Sequence, residues 1–129
     1  MRSIDAVIDE PLDRVEEAVR GALATEGFGV LTEIDVAATF EAKLGVHGPP
    51  MKILGACNPT LAHRALELDP AAALVLPCNV VLREDDGRTS ISIADPRELM
   101  AGPAFSELAA DAAARLTAAL ARLTATPVG

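Results

Sequence analysis

The hydrophobic period of this chain switches back and forth between two values, and that alternation limits the folds open to it. Leu12, Val15, Val19 and Leu23, with Ala22 beside them, recur at helical spacing, while Arg14, Glu16, Glu17 and Arg20 take the other face. Over 28–35 the period drops to two: Phe28, Val30, Thr32 and Ile34 alternate with Gly29, Leu31, Glu33 and Asp35. It is two again where Thr89, Ile91 and Ile93 alternate with Ser90 and Ser92, so one face of that strand is wet or meets something polar. A last helical stripe, Phe105, Leu108, Ala112, Leu116, Leu120 and Leu123, places a helix from about Ala104 to Leu123. Both long helices are apolar on one side only, so each covers a sheet with that side.

Punctuation between these segments supplies the remaining elements. Ile4 to Ile8 reads as a short strand, Pro11 suits the first position of the helix that follows, and Gly27 ends that helix. Asp35 caps a short helix in which Phe40 and Leu44 share a face, and Gly45 closes it. After the loop His47-Gly48-Pro49-Pro50 comes an apolar run from Met51 to Ala56. Asn58 before Pro59 starts a helix with Leu61, Ala65 and Leu68 on its apolar face. Leu74 to Leu82 reads as a strand that Pro77 forces to start late, bulge or run along an edge. Glu84-Asp85-Asp86-Gly87 is a hairpin turn, and Asp95-Pro96-Arg97-Glu98 carries the pattern of a cap with a carboxylate three residues on.

The expected architecture is α+β: two layers, with a largely antiparallel sheet covered by two long amphipathic helices. One domain spans 1–129, with a core over about 4–123 and a frayed end at 124–129. An open sheet has edges to cover or pair, which makes homodimerisation the expectation. The core must be built from aliphatic residues, because the 129 residues include only three Phe and no Trp or Tyr. That poverty in rings, with a formal charge of −8, argues against nucleic acid and against anionic membrane surfaces. The N-terminus meets charge at once, with no apolar signal core, and no run approaches a membrane span, so a cytoplasmic protein with reduced thiols is expected.

Both cysteines sit in Cys-Asn dipeptides beside a proline, Gly55-Ala56-Cys57-Asn58-Pro59 and Leu76-Pro77-Cys78-Asn79-Val80. Cys57, just before a helix cap, could have its thiolate stabilised by the helix N-terminus, which would suit nucleophilic or redox chemistry with Cys78 as resolving partner. Equally, Cys57 reads as a small apolar side chain ending a buried strand, and Cys78 as inert core. Asn58 has a sufficient role as N-cap; Asn79 needs partners in an apolar strand and either ties down backbone near Pro77 or faces a ligand or subunit.

With Lys52, the residues Cys57, Asn58, Cys78 and Asn79 form the candidate ligand or interface set, bordering one pocket or one dimer seam. His47 and His63 could join the two thiolates in a tetrahedral metal site, although none of the spacings is a recognised ligand pair. Asp35, Asp69 and Asp95 each have local capping or turn roles, and neither a phosphate-binding glycine loop nor a serine elbow is present. No cofactor is expected. Three readings follow: a homodimeric binding or interaction module that takes a small molecule or a subunit, a thiol-dependent redox or transfer protein, and a metal or metal-cofactor protein.

Glu26-Gly27-Phe28-Gly29-Val30, Ile53-Leu54-Gly55-Ala56-Cys57-Asn58-Pro59, Ala65-Leu66-Glu67, Leu76-Pro77-Cys78-Asn79-Val80 and Asp95-Pro96 resemble, in order, the domain-of-unknown-function 302 family of bacterial and archaeal proteins. The resemblance runs over roughly 4–123. It implies a fold like that of the TATA-binding-protein class, with a β-α-β-β-β-β-α core, and a homodimer, but no biochemical activity. Fold does not fix function, so no DNA binding follows. One position departs from the family, which often has a tyrosine where this chain has Met51.

Overall fold

In a computed structural model, which describes residues 2–125, five strands form one antiparallel sheet: β1 (Ser3–Ile8), β2 (Gly29–Asp35), β3 (Met51–Cys57), β4 (Cys78–Asp85) and β5 (Arg88–Ala94), in the order β1-β5-β4-β3-β2. The helices are α1 (Leu12–Thr25), α2 (Val36–Leu44), α3 (Pro59–Leu68), α4 (Pro96–Leu99) and α5 (Ser106–Ala125), with 3-10 turns at Pro70–Val75 and Pro103–Phe105. The α+β expectation, with its β-α-β-β-β-β-α core, is the architecture observed. Of the end expected to fray, 124–129, Thr124 and Ala125 belong to α5 and the rest lies outside the described residues.

Helices α1 and α5 lie side by side on one face of the sheet. Val15, Val19 and Leu23 of α1 and Leu116, Ala119 and Leu120 of α5 meet Leu54, Val80, Leu82, Ile91 and Ile93 from the three central strands. A smaller cluster, where β3 ends and β4 begins, joins Ala65 of α3, Ala72, Met100 and the start of α5. The two-residue turn Asp86-Gly87, with φ of 56° and 77°, is of the type that matches strand twist, so β4 and β5 pair in close register. Helix α1 begins at Leu12, after Pro11, and its first N–H donates to the Glu84 carboxylate at 2.7 Å.

Several elements differ from expectation. The even alternation of β2 breaks at a bulge between Val30 and Thr32, so Val30 pairs with Ala56 on the helix side while Thr32 and Ile34 pair with Gly55 and Ile53 on the other. Of the three outcomes that Pro77 left open for the segment from Leu74, the late start is the one found: β4 begins at Cys78, and Leu74 and Val75 belong instead to a 3-10 turn that Pro70 opens, where Asp69 accepts from the Ala71 N–H. Leu68 is exposed and leaves the α3 face to Leu61 and Ala65. Glu98 does not close a box with Asp95; it accepts from the Arg2 N–H, tying α4 to the start of β1.

The alternate residues of the strands form a second face that no long helix covers. It carries Asp5 and Val7, Ser90 and Ser92, Asn79, Val81 and Arg83, Met51, Ile53, Gly55 and Cys57, and Thr32 and Ile34. Helix α2 packs at the β2–β3 end and buries none of its residues; Phe40, expected to share an apolar face with Leu44, is 50% exposed.

Candidate functional site

Strand pairing brings the two Cys-Asn units to one end of the sheet, and the pleat then divides them. Ala56 lies opposite Cys78 and Gly55 opposite Asn79. Because successive side chains point to opposite faces, Cys57 and Asn79 belong to the uncovered face and Cys78 to the helix side. The thiols therefore sit on opposite sides of the sheet, and both are free. Asn58 and Cys78 line one pocket and Asn79 another.

On the inner side, Asn58 and Cys78 help enclose a cavity of about 20 Å³, between Phe28, Leu61, Met100 and Leu108. Asn58 Oδ1 accepts from the Leu61 N–H at 3.2 Å, and its Nδ2 donates to the Glu26 carbonyl at 3.3 Å. One side chain thus caps α3 and receives the end of α1, which accounts for its burial. A close neighbour of that amide is Gly27, whose φ of 83° favours glycine and whose built Cβ would come within 3.0 Å of Asn58 Nδ2 and crowd the amide.

The Cys57 thiol is half-buried, and burial pushes its pKa up. At the α3 N-terminus beside it, Asn58 stands at the cap and takes an N–H of the first turn. Burial, followed by the proximity of Cys57, pushes Cys78 up to about 11. A thiolate at neutral pH is disfavoured at both positions, and a resolving attack would have to cross the sheet.

On the outer side, Asn79 borders a cleft of about 310 Å³. Leu74, Val75, Leu76 and Pro77 form one wall, and Ala94 and Leu99 the other. Asn79 is exposed, and its carboxamide makes no hydrogen bond among the described residues. Beside it, Gly55 has no side chain because Thr32 Oγ1 and the Pro77 ring occupy that space. None of the wall residues was a candidate site residue in the sequence: Leu76, Pro77 and Gly55 entered only as parts of the Cys-Asn segments, and Thr32 only as a strand position. Two signals could have found them: Asp69-Pro70 as a second cap-and-proline start, and a glycine inside an apolar strand as a mark of close approach.

The remaining candidates lie elsewhere. Lys52 faces the helix side and bonds Glu16 at 2.9 Å and Glu33 at 3.0 Å, while Glu16 also takes Arg20 at 3.0 Å. Burial alone would raise the Glu16 pKa, but hydrogen bonds from Lys52 and Arg20 overcome it and hold the carboxyl below its ordinary value. Hydrogen bonds to Glu16 and Glu33 raise Lys52 in turn. Lys52 therefore joins β3 to α1 and β2 and does not border the Asn79 cleft.

His47, in the exposed loop after α2, lies 3.7 Å from Glu41, and His63, exposed on α3, lies 3.4 Å from Glu67. Neither meets a cysteine; among the described residues no group of three or more His, Cys, Asp and Glu side chains is placed to hold a metal. Met51 pairs with Arg83, four residues along β3 from Gly55, or about 13 Å at strand rise. A tyrosine there would place its ring well away from Asn79.

The fold and site define a class: a small α+β domain with helices on one sheet face, an uncovered second face, and a cleft where that face meets the turn into β4. The chain belongs to a family whose description is "Domain of unknown function DUF302", its model matching residues 4–123. It is similar to the crystal structure of an uncharacterised conserved DUF302 protein from Bacillus stearothermophilus, at 33% identity and a TM-score of 0.86, covering 95% of this chain and 98% of that one. No curated protein matches.

Proposed function

We propose that the protein is a small cytoplasmic homodimeric binding module, which holds a small molecule in the cleft beside Asn79 and meets its second copy through the uncovered sheet face. The observation that carries the reading is the Asn79 carboxamide, unpaired among the described residues at the rim of a 310 Å³ cleft with aliphatic walls. Concave, mainly apolar sites with a few placed polar groups are the usual form of small-molecule sites. The second copy is supported by Ile34, Ile53 and Val81, which stand in register across three strands of the uncovered face, with Ile34 51% exposed. The charge of −8 supports partners other than nucleic acid and anionic lipid, and among the described residues no helix is long and apolar enough to cross a membrane.

The test has two arms. Light scattering should give a dimer mass for the wild type and a monomer mass for Ile53→Asp; a monomeric wild type removes the dimer. A small-molecule fragment set followed by amide NMR should shift Leu74, Asn79 and Ala94 together; a set that shifts none of them removes the cleft.

A further inference from the structure

We infer that the cleft beside Asn79 selects uncharged, saturated molecules that carry a carboxamide or lactam group. This rests on the cleft being a binding site, as proposed above, and adds the chemistry that it would recognise.

Three features lead to that class. First, the lining contains no ionisable side chain, with Asn79 as its one polar side chain, so neither an ammonium nor a carboxylate finds a countercharge there. The net charge of −8 further repels anions. Second, the walls are Leu, Val, Pro and Ala without an aromatic ring, so a flat aromatic molecule finds no π-face to stack on, whereas a puckered aliphatic one can fill the space between Leu74 and Leu99. Third, the free Asn79 carboxamide offers a donor and an acceptor side by side. A primary amide or a lactam returns the complementary pair in two parallel hydrogen bonds. A carboxylate offers acceptors only and would set one oxygen against Asn79 Oδ1, and an alkylammonium offers donors only.

The volume, about 310 Å³, is at the lower end for small-molecule pockets, which suits a single saturated ring with its amide.

The experiment titrates the full chain with cyclohexanecarboxamide, cyclohexanecarboxylate and benzamide, read by amide NMR at residues 74–76, 78, 79, 94 and 99. Cyclohexanecarboxamide should shift these positions together with millimolar affinity, the carboxylate should bind at least tenfold more weakly, and benzamide should bind no tighter than the saturated amide. Asn79→Leu keeps the apolar volume and should weaken the carboxamide at least fivefold while leaving the unliganded spectrum dispersed. Equal binding of the carboxylate, tighter binding of benzamide, or unchanged binding by Asn79→Leu overturns the assigned class and leaves the cleft a binding site. No shift at the cleft with these compounds also overturns the class, and no shift there with the wider fragment set overturns the cleft itself.

Discussion

Replacing Gly55 by alanine tests the packing that separates the two faces of the site. Its backbone is not in the left-handed region, so on conformational grounds alone an alanine would be favoured in a strand by about 0.5–1 kcal/mol. Packing acts the other way. A Cβ built on Gly55 overlaps Thr32 Oγ1 and lies 2.8 Å from Pro77 Cγ. The threonine can swing its hydroxyl to another staggered rotamer, but the proline ring has no such freedom and must carry its backbone with it. With two obstructing contacts, one of them a rigid ring, overpacking falls in the upper part of its usual range, about 2–3 kcal/mol, so the net effect of Gly55→Ala should be a loss of about 1–2.5 kcal/mol. In a domain of this size that lowers Tm by roughly 3–8 °C.

Urea and thermal unfolding followed by circular dichroism, at one fixed protein concentration, measure both. Thr32→Ala removes one of the two obstacles, so Gly55→Ala and Thr32→Ala together should recover about 0.5–1 kcal/mol relative to the sum of the single changes, with the remainder held by Pro77. A Gly55→Ala protein as stable as the wild type, or a double variant that is strictly additive, would refute the reasoning.

Two further expectations concern titrating groups. In native protein at neutral pH both thiols should alkylate more slowly than a free cysteine, Cys57 before the more deeply buried Cys78, whose reactivity should rise only toward pH 11; mass-resolved kinetics showing rapid labelling of Cys57 at pH 7 would contradict the burial argument. Glu16 is held below its ordinary value of 4.5 and Asp95, chiefly by its hydrogen bond from Arg97, below 3.8, so their contribution is complete above those values and is lost as pH falls through the lowered ones. Lys52 is raised above 10.5, and its share is lost as pH climbs through the raised value. Lys52→Met should cost about 1–2 kcal/mol at neutral pH and flatten the acid limb of urea-measured stability; an unchanged limb would show that the Glu16–Lys52–Glu33 cluster is not its source.

Local chemistry made most of the elements legible in advance. An N-cap asparagine followed by proline starts a helix wherever it occurs, and a period of two or 3.6 is a property of neighbouring residues. The start of α3 at Pro59, the cap of α2 by Asp35, its end at Gly45 and the Asp86-Gly87 turn therefore stand where the sequence places them. The late start of β4 was one of the outcomes that Pro77 left open; what was not legible is the 3-10 turn before it, because Leu74 to Leu76 carry strand-like residues yet follow a cap and proline that commit the backbone to that turn. Legible in part was the site: the Cys-Asn units do come together, and Asn58 is the cap that its place before Pro59 implies.

What the sequence by itself determined is therefore the inventory of helices and strands and the apolar side of each long helix, because these follow from spacing and capping within a few residues. Only the tertiary structure decided which side of the sheet each functional group faces. That depends on pairing register and on a bulge in β2, and a shift of one residue turns every side chain to the opposite face. By that rule Cys57 and Asn79 face outward, while Cys78 and Asn58 line the interior and Lys52 is drawn to the carboxylates of α1 and β2. The cleft beside Asn79 exists only because β5, α4 and the turn before β4 meet there, a meeting of segments far apart in the chain that no local pattern records.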